Sequence, residues 1–351
     1  MASHPHTEMS VNLDMLRALA VMAVFFSHIY RAHHDLGFDS LGSFGVILFF
    51  IHTSYVLMAS LRRLEKTAMS DTSLTLAFWT RRIFRIYPLA ILCVVLTAVF
   101  RIPVNPGDAY SWIGVKGFLS NLALIQNLTG CHDIQGPLWS LPIEMQMYAI
   151  LPFAYFAIRG ERRYRSLALW FFSVFSVLTL ALLLPASAWD TQRFNLLILA
   201  PCFTSGIVAF DLVSHRRWVW KLPAWVWPIG IFTAIALYGP HGEASIPHRL
   251  FRAWVLSLLL GVLYANVKEG RPNWIHSVFH WIAERSYGIY LSHSIVLWIV
   301  FYKMDQLPLW VQIPALIAGA TGIPALLYVT IEKPLIQVGI RIAKRILGSS
   351  D

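Results

Sequence analysis

The sequence predicts an all-α integral membrane protein, with about ten transmembrane helices in one bundle and both termini cytoplasmic. Three observations carry that expectation. Of 351 residues, 57% are hydrophobic and only 13% charged, whereas soluble domains hold about 25% charged residues. Apolar runs long enough to cross ~30 Å of hydrocarbon recur along the whole chain. The Lys and Arg residues, which give a formal net charge of +10, cluster in short stretches between those runs. In a soluble protein such a charge would suggest nucleic acid. Here positive-inside topology accounts for it, and no nucleic-acid partner is expected.

The runs lie at 12–31, 41–60, 83–102, 138–158, 166–185, 193–213, 220–239, 249–267, 284–302 and 309–331. Residues 1–11 read as a cytoplasmic tail, because residues 1–10 lack Lys and Arg and no small-residue cleavage site follows. With that end inside, 21 of the 28 Lys and Arg fall on the cytoplasmic side, among them Arg17, Arg62, Arg63, Arg81, Arg82 and Arg85, and seven on the outer side. An even number of spans returns the C-terminus to the cytoplasm, with 332–351 as its tail. Between the third and fourth runs, 103–137 is rich in Pro and Gly around KGFLSNLALIQNL (116–128). That segment is too short to span and is expected to be a re-entrant or interfacial helix. No polar stretch is long enough for a separate soluble domain, so 1–351 forms one multi-pass membrane domain. Cys93 and Cys202 fall in apolar runs and Cys131 stands alone in a loop, which gives no disulfide framework. No metal site is read: His33, His34, His241 and His248 lie in outer loops without ligand spacing.

Four polar constellations interrupt this apolar background. The first run, LDMLRALAVMAVFFSHIY (13–30), carries Arg17 and His28. Eleven residues advance about 1100°, ~20° beyond three full turns, so both side chains share one face about 16.5 Å apart along the axis. Taken singly, Arg17 is a snorkelling arginine and His28 an interfacial histidine. Asp14, three residues before Arg17, is placed to orient its guanidinium. FWTRRIFRIYPLA (78–90) reads as the connection into the third span, with Arg82 and Arg85 one turn apart. Two guanidinium forks on one face suit phosphate oxygens, or simply anchor a helix on the positive side.

GPLWSLPIEMQMYAILP (136–152) puts Glu144 about six residues into a span entering from outside, at a depth comparable to His28, on a polar stripe with Ser140 and Tyr148. ERSYGIYLSHSIVLW (284–298) repeats Ser286, Tyr290 and His293 at i, i+4 and i+7. This second stripe either faces the first helix or binds helices together. Together the four describe a polar path with a basic mouth. Such a path carries protons or a solute, or lets a phosphate-bearing donor from the cytosol meet an acceptor from outside, and periodicity does not choose between these.

The motifs do resemble one group. LDMLRALAVMAVFFSH is similar to the opening helix of the acyltransferase family 3 membrane proteins, with an Arg, ten residues and a His. RRIFRIYP resembles that family's cytoplasmic arginine motif, LWSLPIEMQMYAILP its Trp-Ser-Leu helix with an embedded Glu-x-Gln, SYGIYLSH its late Ser-Tyr-x-x-Tyr-x-x-His helix, and IEKP (331–334) its C-terminal Ile-Glu-Lys-Pro. The five stand in the family's order over nearly the whole chain. Three positions depart from its pattern: in FFIHTSYVL (49–57) Ser54 stands where Gly is usual and His52 is unusual, and Met145 stands where a second Glu is common.

The resemblance implies transfer of an acyl group, acetyl in most members, from cytoplasmic acyl-CoA to a hydroxyl of an extracytoplasmic or membrane-associated sugar, glycolipid or polysaccharide. It implies the stand-alone form, multi-pass in the inner or plasma membrane and in contact with the lipid bilayer, with no permanently bound cofactor. Arg17, Arg82, Arg85 and Ser286 are expected to hold the donor. His28 is expected to act as base, with Glu144 orienting its imidazole and Tyr290 or His293 donating to the thioester oxyanion. An acyl-histidine intermediate is an open alternative, as is a proton-coupled transporter or flippase using the same His, Glu and Arg residues.

Overall fold

A computed structural model describes residues 10–33, 39–105, 107–160, 164–185, 192–215, 221–239 and 246–348. His34 and His241 lie outside them, as does most of the N-terminal tail. The helices are α1 (Val11–His33), α2 (Asp39–Glu65), α3 (Asp71–Val99), α4 (Gly114–Leu122), α5 (Gln126–Thr129), α6 (Ser140–Ile158), α7 (Arg165–Leu183), α8 (Asn195–His215), α9 (Val226–Tyr238), α10 (Ile246–Asn266), α11 (Trp274–Trp298), α12 (Leu309–Leu327) and α13 (Lys333–Leu347). Among the described residues, the rest of the ordered backbone is short 3₁₀ and π turns and one isolated bridge between Leu222 and Val267.

Short polar residues set the starts of the helices that matter here. Ser10 Oγ accepts the Leu13 N–H at 3.1 Å and caps α1. Ser70 and Ser73 bond reciprocally and open α3 at Asp71. The expected start at 83 is therefore corrected: RRIFRIYP is not a connection but lies inside a helix, with Arg82 about 16.5 Å along it. Asn273 caps α11 by accepting from the His276 N–H at 2.8 Å.

Eight of the ten expected runs are helices long and apolar enough to cross a membrane. The other two are α9, only 13 residues long, and α11, 25 residues with a polar stripe. The expected helix at 116–128 is two pieces: Leu124 adopts φ 54° and separates α4 from α5, and Asn121 ties the break to the loop by bonding His132 O and Ile134 N–H. The expected C-terminal tail is also helical in large part. α12 passes through a π-helical turn, Tyr328–Glu332, into α13, whose apolar face packs along α3.

α2 is the most enclosed of the candidate spans, flanked by α1 and α8. Without a hydrophobic force between helices in lipid, close approach of small residues drives such packing. Ala18, Ala20 and Ala23 of α1 are buried, and a Cβ at Gly45 of α2 would lie 2.7 Å from Ala20 O. On the other side, Gly206 of α8 lies so close to α2 that a Cβ would collide with Ser54 Oγ and Ile51 O. Ser54 itself donates to Phe50 O at 2.8 Å and Ile51 O at 3.1 Å. The glycine missing at 54 is thus matched by one on the facing helix. Gly206→Ala is expected to destabilise the protein by about 1–3 kcal/mol through overpacking against backbone, read as a lower thermal midpoint in detergent; an unchanged midpoint would contradict this packing.

Candidate active site

α1 and α11 lie side by side and exchange polar contacts at three levels. Nearest their N-termini, Asp14 Oδ2 lies 3.2 Å from His276 Nε2 and 2.8 Å from His280 Nδ1. Arg17 Nε next donates to Ser286 Oγ at 2.6 Å. Farthest along, His293 Nε2 lies 3.0 Å from His28 Nδ1. The second and third contacts bring Arg17 and His28 against one helix, as their shared face requires. The first corrects an expectation: Asp14 engages histidines of α11, and Ser286 is what holds Arg17.

Arg17 opens into a cavity lined also by Phe49, Ser140, Glu144, Ser286 and Tyr290. Arg17, Arg82 and Arg85 lie within electrostatic reach of Glu144, and Arg17 and Arg85 of Glu332. Three guanidiniums against two carboxylates leave positive charge uncompensated inside the bundle, where charge is costly unless paired. Among the described residues, the buried Arg82 Nε has no hydrogen-bond partner, and neither has either oxygen of the buried Glu332. An anionic group entering here would satisfy the orphaned donor and the excess charge together.

The histidine pair fixes its own tautomers. His293 Nδ1 lies 2.6 Å from Tyr290 O, and a carbonyl only accepts, so His293 carries its hydrogen on Nδ1. Its Nε2 then accepts from His28 Nδ1–H, which is also 3.1 Å from Val24 O. His28 therefore carries its lone pair on Nε2, the form that a general base requires.

The same hydrogen-bond logic relocates other expected roles. Tyr290 donates to Pro137 O at 2.9 Å and stands 2.8 Å from Ser140 Oγ, which must then be the donor to it. Tyr290 and Ser140 thus clamp the turn Gly136–Trp139 that launches α6. Glu144 accepts from Tyr148 and faces the arginines; it lies at the level of Arg17 rather than that of His28, and His293 is the residue beside His28. The structure brings Arg17, Ser286, Glu144 and Tyr290 to one cavity, with Arg82 and Arg85 charged neighbours of it and His28 and His293 beyond Tyr290. Spacing had not singled out Glu332, His276 or His280. The Glu of IEKP and the His-x-x-x-His repeat at 276 and 280 are the signals that point to them.

Comparison with known proteins gives concordant results. A family model described as an acyltransferase domain matches residues 10–329. The peptidoglycan O-acetyltransferase OatA of Listeria monocytogenes is 25% identical over 324 residues, which cover 80% of this chain and 48% of that protein. The acyltransferase MdmB of Streptomyces mycarofaciens is 26% identical over 82% of this chain and 78% of its own. Nodulation protein 10 of Rhizobium leguminosarum bv. viciae is 25% identical over 96% of each. The chain spans about half the length of the first of these relatives. No solved structure matches it.

The Arg17–Ser286 bond makes a specific prediction. Ser286→Ala leaves a buried charged donor unpaired and is expected to cost about 1–3 kcal/mol of stability. With Arg17→Met already present, the same change is expected to cost much less, and equal costs in both backgrounds, measured as a double-mutant cycle by thermal unfolding, would remove the coupling.

Proposed function

The chain belongs to acyltransferase family 3, and from that premise we propose that it is a multi-pass membrane O-acyltransferase, moving an acetyl group from acyl-CoA to a sugar hydroxyl. The observation that carries the reading is a cavity lined by Arg17 and Tyr290 with excess guanidinium charge beside it, while the His28–His293 pair, which does not line it, lies about one turn farther along α11 than Tyr290. A donor gripped by its phosphates at Arg17, Arg82 and Arg85 extends its acyl end away from the arginine cluster, towards the imidazoles. Ser286 holds Arg17 in place, and Glu144 and Glu332 offset part of the cluster's charge without bonding to it.

In the reaction, His28 Nε2 takes the proton of the acceptor hydroxyl as its oxygen attacks the thioester carbonyl. The new C–O bond forms, the C–S bond breaks, and the leaving thiolate takes the proton back from the imidazolium. His293, accepting from His28 Nδ1–H, keeps the base in the reactive tautomer. A second cavity, lined by Ser43, Trp139, Asn195, Tyr238 and Arg249 among aliphatic residues such as Ile47 and Leu199, shares Val46 and Phe50 with the lining of the first. Its aromatic and polar members, Trp139, Tyr238, Asn195 and Arg249, are the groups that would recognise a carbohydrate, and the name of the Listeria relative points to the same acceptor class. The one-sided distribution of Lys and Arg supports an arginine cluster reached from the cytoplasmic side of a cell membrane. The comparisons give the transporter reading no support.

Purified protein in liposomes, supplied with labelled acetyl-CoA and oligosaccharide acceptors, tests this. His28→Ala is expected to lower turnover about 10²–10⁴-fold while the protein stays folded in the membrane; full activity would remove His28 from the reaction. Arg82→Ala and Arg85→Ala are each expected to raise KM for acetyl-CoA by about tenfold or more, from the loss of a charge-assisted phosphate contact. An unchanged KM in both would place the donor elsewhere.

A further inference from the structure

α1 and α11 also meet away from the cavity, where Asp14 stands between His276 and His280. The two histidines are one turn apart on α11, so their rings project from one face, and the Asn273 cap fixes the turn that carries His276. His276 Nε2 and His280 Nδ1 approach the same atom, Asp14 Oδ2, at 3.2 and 2.8 Å. The three ligand atoms all lie within 4.8 Å of one another. His276 is 4% exposed, while Asp14 and His280 are half-buried.

Ligand atoms held at ~2.0–2.1 Å around a tetrahedral zinc ion stand about 3.3 Å apart, close to the two separations from Asp14 Oδ2, and a small turn of the His280 ring brings the third pair, within 4.8 Å, to the same spacing. Two imidazoles and one carboxylate also leave a fourth position open, as in zinc sites that hold water. We propose that Asp14, His276 and His280 bind a divalent transition-metal ion, with zinc as the ion their spacing fits, and that this ion pins α1 to α11. The site stands 14 residues before His28, about 21 Å along the helix, so the ion does not touch the reacting groups. What it fixes is the register of the two helices that carry Arg17 against Ser286 and His28 against His293. The proposal does not depend on which reaction the cavity performs.

Zinc binding by the full chain, purified in detergent through a tag free of histidine, decides the matter. After equilibration with Zn²⁺ and removal of excess, about one zinc per chain is expected by elemental mass spectrometry, with a higher thermal midpoint than the chelator-treated protein. His276→Ala and His280→Ala are expected to hold less than about a tenth of that and to lose the zinc-dependent shift in midpoint. His280→Gln, on the more open side, keeps the test valid if His276→Ala does not fold. Wild-type protein with no retained zinc and no shift, or variants that keep both, would overturn the site and leave Asp14 as a carboxylate shared by two hydrogen-bonding histidines.

Discussion

Everything in this bundle follows from the cost of placing guanidinium and imidazole groups among apolar helices. An intramembrane charge persists only when another helix supplies its partner, and here that helix is α11. Arg17 has Ser286 and His28 has His293, so one seam satisfies both groups and sets the height at which each stands. The rest of the architecture serves that seam. α2 backs α1 through Ala20 and Gly45, and Tyr287 of α11 donates to Ile86 O of α3 at 2.7 Å, tying in the helix that carries Arg82 and Arg85.

The seam also separates two chemistries. Near Arg17 the environment is cationic and under-compensated, with the half-buried Glu144 and the buried Glu332 as its carboxylate neighbours. Beside His28 lie rings: the His293 imidazole at 4.8 Å between ring centres, with Phe25 edge-on to His293 at 6.3 Å. An anion-gripping end and a proton-accepting end, set apart along one pair of helices, are what a long phosphorylated donor needs.

Much of this was legible in the residues because helical geometry is rigid. The eleven-residue interval placed Arg17 and His28 on one face, and the stripe Ser286, Tyr290, His293 supplied α11 as the surface they meet. Other features depended on tertiary context. The start of α3 was misplaced because Thr80, Arg81 and Arg82 interrupt the apolar run before position 83, although Ser70 and Ser73 form a capping box that opens the helix at Asp71. Glu144 was set level with His28 by counting residues from the membrane edge, but Tyr148 and the arginines draw it to Arg17. Glu332 is the first residue after the expected run 309–331, and a π-helical turn instead carries the chain on as α13 with Glu332 buried at 2% exposure. Tyr290 looked like a free donor because sequence does not reveal that Pro137 O takes its proton.

A cryo-electron microscopy structure of the protein with bound coenzyme A is the most direct test of a donor stretched between arginines and imidazoles. It should show phosphate density against Arg17, Arg82 and Arg85, with the sulfur reaching past Tyr290 to the His28–His293 pair. Coenzyme A bound with its phosphates away from these arginines, or with its sulfur directed to a cavity that His28 does not adjoin, would contradict it.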